Sequence, residues 1–225
     1  MIRGFHPLLA ALVERWRPET HTFVLPVGEV TVTLEDVAHI FGLPIDGEPY
    51  LPLLRDFERI HTYSWGSACL AHLYRALCRA SRYDTKEMDD PLNLLFVWAW
   101  ERMPCIAPVP RHILPPAEIP VAMRWSHSER STAWLEKTMV TFRHDIDYMQ
   151  EFEWRPYEGM ILPSELHGHL DVCDIVAPLL SFECIEWHPA DRVMRQFGFA
   201  QSPPVNTKGH STGPALHGSS RSAAL

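Results

Sequence analysis

Twenty of the 225 residues are proline, and no other feature limits the fold of this chain so much. A proline inside a helix removes a hydrogen bond and clashes with the preceding turn, so helices here must be short or end at a proline. The proline content is about 9%, against roughly 5% in average proteins. A hydrophobic fraction of 46% still supplies a packed core, and the length suits one domain with a tail.

Between the prolines the apolar spacing is mostly helical. Leu8, Leu9, Leu12, Val13 and Trp16 form a stripe that Pro18 ends. Residues 20–25 and 29–33 alternate apolar and polar around Pro26-Val27-Gly28, which predicts a short β-hairpin with Gly28 taking the unusual backbone angle. Thr33 then caps a helix with Asp36 in its first turn and Gly42 and Pro44 at its end. Further helices are expected over 64–80 and over 92–103, the latter opened by Asp90-Pro91 and apolar on most sides. Pro104, Pro108, Pro110, Pro115, Pro116 and Pro120 mark an extended connector. Residues 129–150, 163–173 and 178–198 are expected to be helical, the last broken at His188-Pro189. From Ser202 the chain loses large apolar groups and is expected to be disordered. The predicted class is mainly α: an irregular multi-helix domain with a small N-terminal β-hairpin and a Pro-rich connector.

Charge and cysteine usage narrow the setting. The net charge is −8, and Lys and Arg form no basic run of the kind that nucleic-acid binding needs. No stretch of 18 apolar residues predicts a membrane helix, and the N-terminus lacks a secretory pattern. Cys69, Cys78, Cys105, Cys173 and Cys184 are odd in number and scattered, which suits reduced thiols inside a cell.

Each group of chemically capable residues also has a plainer role. His167, His169, Asp171, Cys173, Asp174, Cys184 and His188 are zinc-ligand types, and Cys184 and His188 stand one helical turn apart. However, His167 and His169 would point away from each other on a helix, and no Cys-x-x-Cys is present. Asp145, Asp147, Glu151 and Glu153 could hold Mg²⁺, but their tight spacing suits a solvated helix face better. Glu183, Glu186 and Asp191 lie near Arg192 and Arg195, so structural ion pairs are the simpler account. Trp98, Trp100, Trp154 and Trp187 could line a groove, with buried core as their default reading. No nucleophile elbow or phosphate loop occurs, and Lys86, Lys137 and Lys208 lack a pyridoxal-loop context. No catalytic, cofactor or metal residue is therefore assigned, and the chain reads as a non-enzyme.

The local wording carries more. Glu14-Arg15-Trp16-Arg17-Pro18-Glu19-Thr20-His21-Thr22-Phe23, then Leu25-Pro26-Val27-Gly28-Glu29-Val30-Thr31-Val32-Thr33-Leu34-Glu35-Asp36-Val37, then Gly42-Leu43-Pro44-Ile45-Asp46-Gly47 follow one another. Later come Tyr63-Ser64-Trp65-Gly66-Ser67-Ala68, Leu73-Tyr74-Arg75-Ala76-Leu77-Cys78, Trp98-Ala99-Trp100-Glu101-Arg102, Phe152-Glu153-Trp154-Arg155-Pro156-Tyr157 and the run from Phe182 to Gly198. Together these resemble the plant mobile domain family, labelled "aminotransferase-like", which includes MAINTENANCE OF MERISTEMS-like proteins and long-form homologues of serine/threonine phosphatase 7.

The resemblance implies a nuclear interaction module linked to meristem maintenance, transposon silencing and gene-expression control. Its implied partners are other nuclear proteins, among them a phosphatase-7-like protein. It brings no catalytic residues, and the phosphatase motifs are absent from this sequence. Residues 1–201 are expected to form the domain and 202–225 the tail. Family members run on for many residues after the equivalent of Pro49 before resuming at Tyr50, whereas here the two are joined, which points to a truncated, mis-spliced or transposon-degraded copy. The alternative function is a metal-dependent enzyme acting on nucleic acid, suggested by the acidic and His/Cys clusters.

Overall fold

The computed structural model describes residues 5–47, 63–82, 91–108, 120–125, 131–181 and 184–203. Helix α1, Phe5–Val13, leads into strand β1, Trp16–Arg17. β2, Thr22–Leu25, and β3, Gly28–Val30, complete an antiparallel sheet in the order β1-β2-β3. The expected hairpin is therefore present, with a third strand that comes from the end of the expected first helix. Trp16 pairs with Phe23 across β1 and β2 and is buried by that pairing, not by a continued helix. Gly28 takes φ +119° at the tight β2–β3 connection, where a side chain would be strained.

Helix α2, Leu34–Phe41, starts and stops as its sequence dictates. The Thr33 hydroxyl accepts from the Asp36 amide while the Asp36 carboxylate accepts from the Thr33 amide, a complete capping box. Gly42 ends the helix in the left-handed conformation at φ +66° and donates its N–H to Ala38. Helices α3, Trp65–Ala80, and α4, Leu92–Arg102, match their expected spans. Every residue of α4 from Leu94 to Arg102 is buried. The Asp90 cap expected for α4 lies outside the described residues, as does most of the Pro-rich connector; Pro104–Ile106 forms a 3-10 turn.

Two expected helices are replaced. The 129–150 stretch divides into α6, Thr132–Leu135, and α7, Met139–Asp147, after the short α5, Ala122–Trp125. The cause is a pair of caps: Ser131 accepts from the Trp134 amide and Thr138 from the Thr141 amide, so each starts its own helix. The 178–198 stretch instead forms an antiparallel hairpin of β4, Ala177–Leu180, and β5, Ile185–His188. Short apolar runs fit period two as well as a helix, and a bond from the Ser181 amide to the Cys184 carbonyl closes the turn. The 3-10 turns Ala190–Arg192 and Met194–Phe197 follow, and Ser164–Val172 is also 3-10. The predicted 202–225 tail lies outside the described residues beyond residue 203.

One core joins these pieces. Leu8, Leu12, Trp16, Phe23, Val37, Ile40, Leu70, Tyr74, Leu77 and Trp98 are almost fully buried within it. Phe23 stacks on Trp98 with ring centroids 5.2 Å apart, which ties the sheet to α4. No described helix is long and apolar enough to cross a membrane.

Candidate functional site

Capping places Asp36 at the first turn of α2, and there it becomes the polar centre of the core. Its Oδ2 accepts from the Thr33 amide at 2.7 Å and the Thr33 hydroxyl at 2.8 Å. Its Oδ1 accepts from Arg102 Nη2 at 2.8 Å, Arg102 Nε at 3.2 Å and the Tyr157 hydroxyl at 2.9 Å. Arg102 ends α4 and also donates to the Trp154 carbonyl at 2.8 Å. Asp36 and Arg102 have no exposed side-chain surface. Burying an ion pair is costly unless remaining donors and acceptors are filled, and here both carboxylate oxygens are occupied.

Around this centre the titratable groups are displaced from their ordinary range. Burial, reinforced by the Asp36 charge, pushes the Glu35 carboxyl up to about 7. His39 stacks on Tyr157 at 4.5 Å between centroids, its Nδ1 2.9 Å from the Glu35 carbonyl, and burial holds its protonation below the usual histidine range. Burial also raises the Cys173 and Tyr157 groups, so thiol and phenol stay protonated near neutrality. Glu101, on α4, is filled in the same way by Arg124 at 2.8 Å and Trp125 Nε1 at 2.6 Å. An arrangement so filled positions backbone segments; Asp36 has no lone pair left over for a substrate proton.

The C-terminal segment docks on the N-terminal sheet by polar contacts. Gln196 reads the backbone of Thr31 as a strand would: it accepts from the Thr31 amide and donates to the Thr31 carbonyl, both at 2.8 Å. Arg192 makes a two-pronged pair with Glu29 at 2.6 and 2.7 Å. His21, at φ +52°, bonds the Trp187 carbonyl and lies 3.2 Å from the Glu186 carboxylate.

The zinc-type residues do not converge, and among the described residues no three His, Cys, Asp or Glu side chains could hold one metal ion. His167 Nε2 lies 2.7 Å from the Leu162 carbonyl, and His169 Nδ1 accepts from the Asp46 amide at 3.0 Å. Cys173, close to Asp171 and Asp174 in sequence, is buried near α2. The one-turn spacing of Cys184 and His188 runs along β5, since this segment is strand. His188 is fully buried with Nδ1 3.1 Å from the Ile175 carbonyl, and burial holds it down to about 4.

Of the acidic run, Asp145 pairs with Lys137 at 2.8 Å and Asp147 with Arg15. Glu151 is exposed, and Glu153 accepts from the Arg155 amide at 3.1 Å. Arg192 turns to Glu29, not to the neighbouring acids, and Arg195 lies over the Trp154 ring at 5.4 Å. Glu183 lies outside the described residues. Trp98 and Trp100 are core, Trp154 is half-buried and Trp187 is exposed.

Sequence reasoning took Asp36 only as a cap and missed its pairing with Arg102. The available signal was a charged residue at the end of an otherwise apolar helix. The three stretches Leu25–Val37, Trp98–Arg102 and Phe152–Tyr157, read as separate pieces of family wording, meet at this one point.

Fold and site together define a mainly helical module organised around a filled, buried ion pair. The chain belongs to the plant mobile domain family, whose sequence pattern matches residues 2–51 and 48–223. The chain is 32% identical to an Arabidopsis thaliana serine/threonine-protein phosphatase 7 long form homolog, over 89% of its own length and 22% of that protein's. It is 28% identical to Protein MAIN-LIKE 1 and 26% identical to Protein MAINTENANCE OF MERISTEMS, both of Arabidopsis thaliana. These two comparisons cover 89% and 90% of this chain, and 55% and 60% of those proteins. It thus spans between about a fifth and three fifths of these relatives. The three alignments run to 296, 290 and 294 residues, more than the 225 present here. No solved structure matches.

Proposed function

We propose that this chain is a non-catalytic interaction module that works in the plant nucleus, in meristem maintenance, transposon silencing and gene-expression control. The observation that carries the reading is the centre of the site: family-defining stretches converge on Asp36, and its oxygens are spent on Thr33, Arg102 and Tyr157. A domain held together by a filled polar centre offers its surface, and other nuclear proteins are its partners, a phosphatase-7-like protein among them. The family match broken at residues 48–51, with alignments longer than the chain, supports its being a shortened copy.

The test is affinity capture of the intact tagged chain from plant nuclei, with a fluorescent fusion to follow its location. Specific nuclear partners recovered with the folded chain support the reading. A folded chain that recovers none, or that cleaves nucleic acid with added Mg²⁺ or Zn²⁺, overturns it. A transcript spanning the Pro49–Tyr50 junction establishes that the shortened form is expressed.

A further inference from the structure

His21 stands in a turn that its own backbone does not favour. Among the described residues it alone, glycines aside, has a left-handed φ, at +52°. Contacts from elsewhere hold it there. The Thr31 hydroxyl donates to its carbonyl at 2.7 Å. Its ring stacks on Trp16, with centroids 6.1 Å apart, and leans on Tyr74 at 5.1 Å. The ring is thereby aimed at β5, from the other end of the sequence.

Both ring nitrogens meet oxygen on β5. Nδ1 lies 3.0 Å from the Trp187 carbonyl, and Nε2 lies 3.2 Å from the Glu186 carboxylate. A carbonyl and a carboxylate can only accept, whereas a neutral imidazole carries one N–H and one bare lone pair. In either neutral tautomer, one nitrogen therefore turns its lone pair on an oxygen. Only the imidazolium donates to both, and the Tyr74 ring face beside it suits a cation.

Other charges stand farther off. α3 brings Tyr74 and Cys78, which burial keeps protonated near neutrality. Glu19 and Arg82 lie near Cys78, and Arg75 lies beside Cys184 at the start of β5. Beyond Thr22, Glu29 is paired with Arg192. Among the described residues only Glu186 brings a charge within bonding distance of the His21 ring. The two side chains are 16% and 18% exposed, open enough for a proton to leave and return.

The rest of the joint does not depend on this proton. β5 is also held by β4 and α3, and the turns after it by Gln196 and Arg192. Losing a His21 bond therefore loosens one edge and leaves the hairpin attached.

We propose that His21 is a proton-operated latch between the N-terminal sheet and the β4–β5 hairpin. As the imidazolium it donates to the Trp187 carbonyl and the Glu186 carboxylate, and the joint is closed. As the neutral ring it gives up one of the two bonds, and the edge of β5 opens. The latch involves no nuclear partner and holds whether or not one is captured.

Its test is hydrogen exchange of the intact chain from about pH 5 to about pH 8, the span in which an imidazole ordinarily changes charge. Protection is corrected for intrinsic rates and taken as the ratio of residues 185–188 to α4. The ratio should fall at least about tenfold as pH rises, the low end for losing a hydrogen bond to a charged group. His21→Asn tolerates a left-handed backbone but does not titrate, so its ratio should be low and flat. A flat ratio in the parent, or an equal slope in His21→Asn, overturns the latch. If His21→Asn does not fold, ring-nitrogen NMR of the parent replaces it. Loss of a His21 ring proton that coincides with loss of protection supports the latch. A ring that loses its proton while protection at 185–188 stays unchanged refutes it.

Discussion

Arg102 and Asp36 face each other at 2.8 Å with no side-chain surface exposed, and they join the end of one helix to the start of another. Because the pair lies where α2, α4 and the 153–157 segment meet, its loss should unfold the domain rather than loosen one edge. Asp36→Asn leaves a buried guanidinium without its anion, a defect that typically costs about 3–5 kcal/mol. Tyr157→Phe removes a single donor and should cost about 1 kcal/mol. Urea unfolding followed by circular dichroism should rank the two variants in that order. Equal effects would mean that the charge pairing does not dominate.

Much of this frame is written locally, and the missing part is written at a distance. The Thr33 cap, the Gly42 stop and the apolar α4 follow from rules that act within one turn of helix. The Asp36–Arg102 pair spans 66 positions and the Gln196–Thr31 pair 165, and no periodicity reports such partners. The C-terminal hairpin is illegible for another reason: four-residue strands are too short for their alternation to outweigh a helical pattern. The acidic and His/Cys groups are chemically capable types, but their partners, Lys137, Arg15 and backbone carbonyls, are set by packing.

Gly66 offers a test of how tightly α3 is set against the turn after α2. A Cβ at this position would stand 2.5 Å from Ile45 Cγ2 and 3.0 Å from the Pro44 carbonyl. Helix propensity alone favours Gly66→Ala by about 1 kcal/mol, yet overpacking costs about 1–3 kcal/mol. The variant should therefore be less stable than the parent in urea, and adding Ile45→Ala should not leave it worse by the full sum of the two. A stabilised Gly66→Ala chain would show that the contact yields.

Glu35 gives a pH dependence of definite sign. Its folded-state carboxyl is raised to about 7 from 4.5, so the folded chain binds the extra proton between those values. Stability from this group is full below about 4.5 and falls as pH rises through 7. Buried His188 works the other way, since a folded value near 4 makes stability fall as pH drops from 6.5. The parent curve mixes both, and Glu35→Gln separates them. Relative to the parent, Glu35→Gln should gain stability as pH rises from 4.5 to 8, measured by thermal melts at each pH. A constant difference would remove Glu35 as the cause.

Gln196 predicts what holds the C-terminal segment to the sheet. Its amide fills both the N–H and the C=O of Thr31, and neither residue has more than marginal exposure. Gln196→Leu keeps the volume approximately but leaves two backbone groups buried without partners, at about 1–3 kcal/mol for each unsatisfied group. Arg192–Glu29 remains in the variant, yet that pair is partly exposed and contributes about 0.2–1 kcal/mol. The balance favours local release of the 190–198 turns before the core unfolds. Hydrogen exchange should therefore show the Thr31 amide losing protection by at least tenfold while amides in α4 keep theirs. Loss of protection in both at once would mean that this segment and the core open as a single unit.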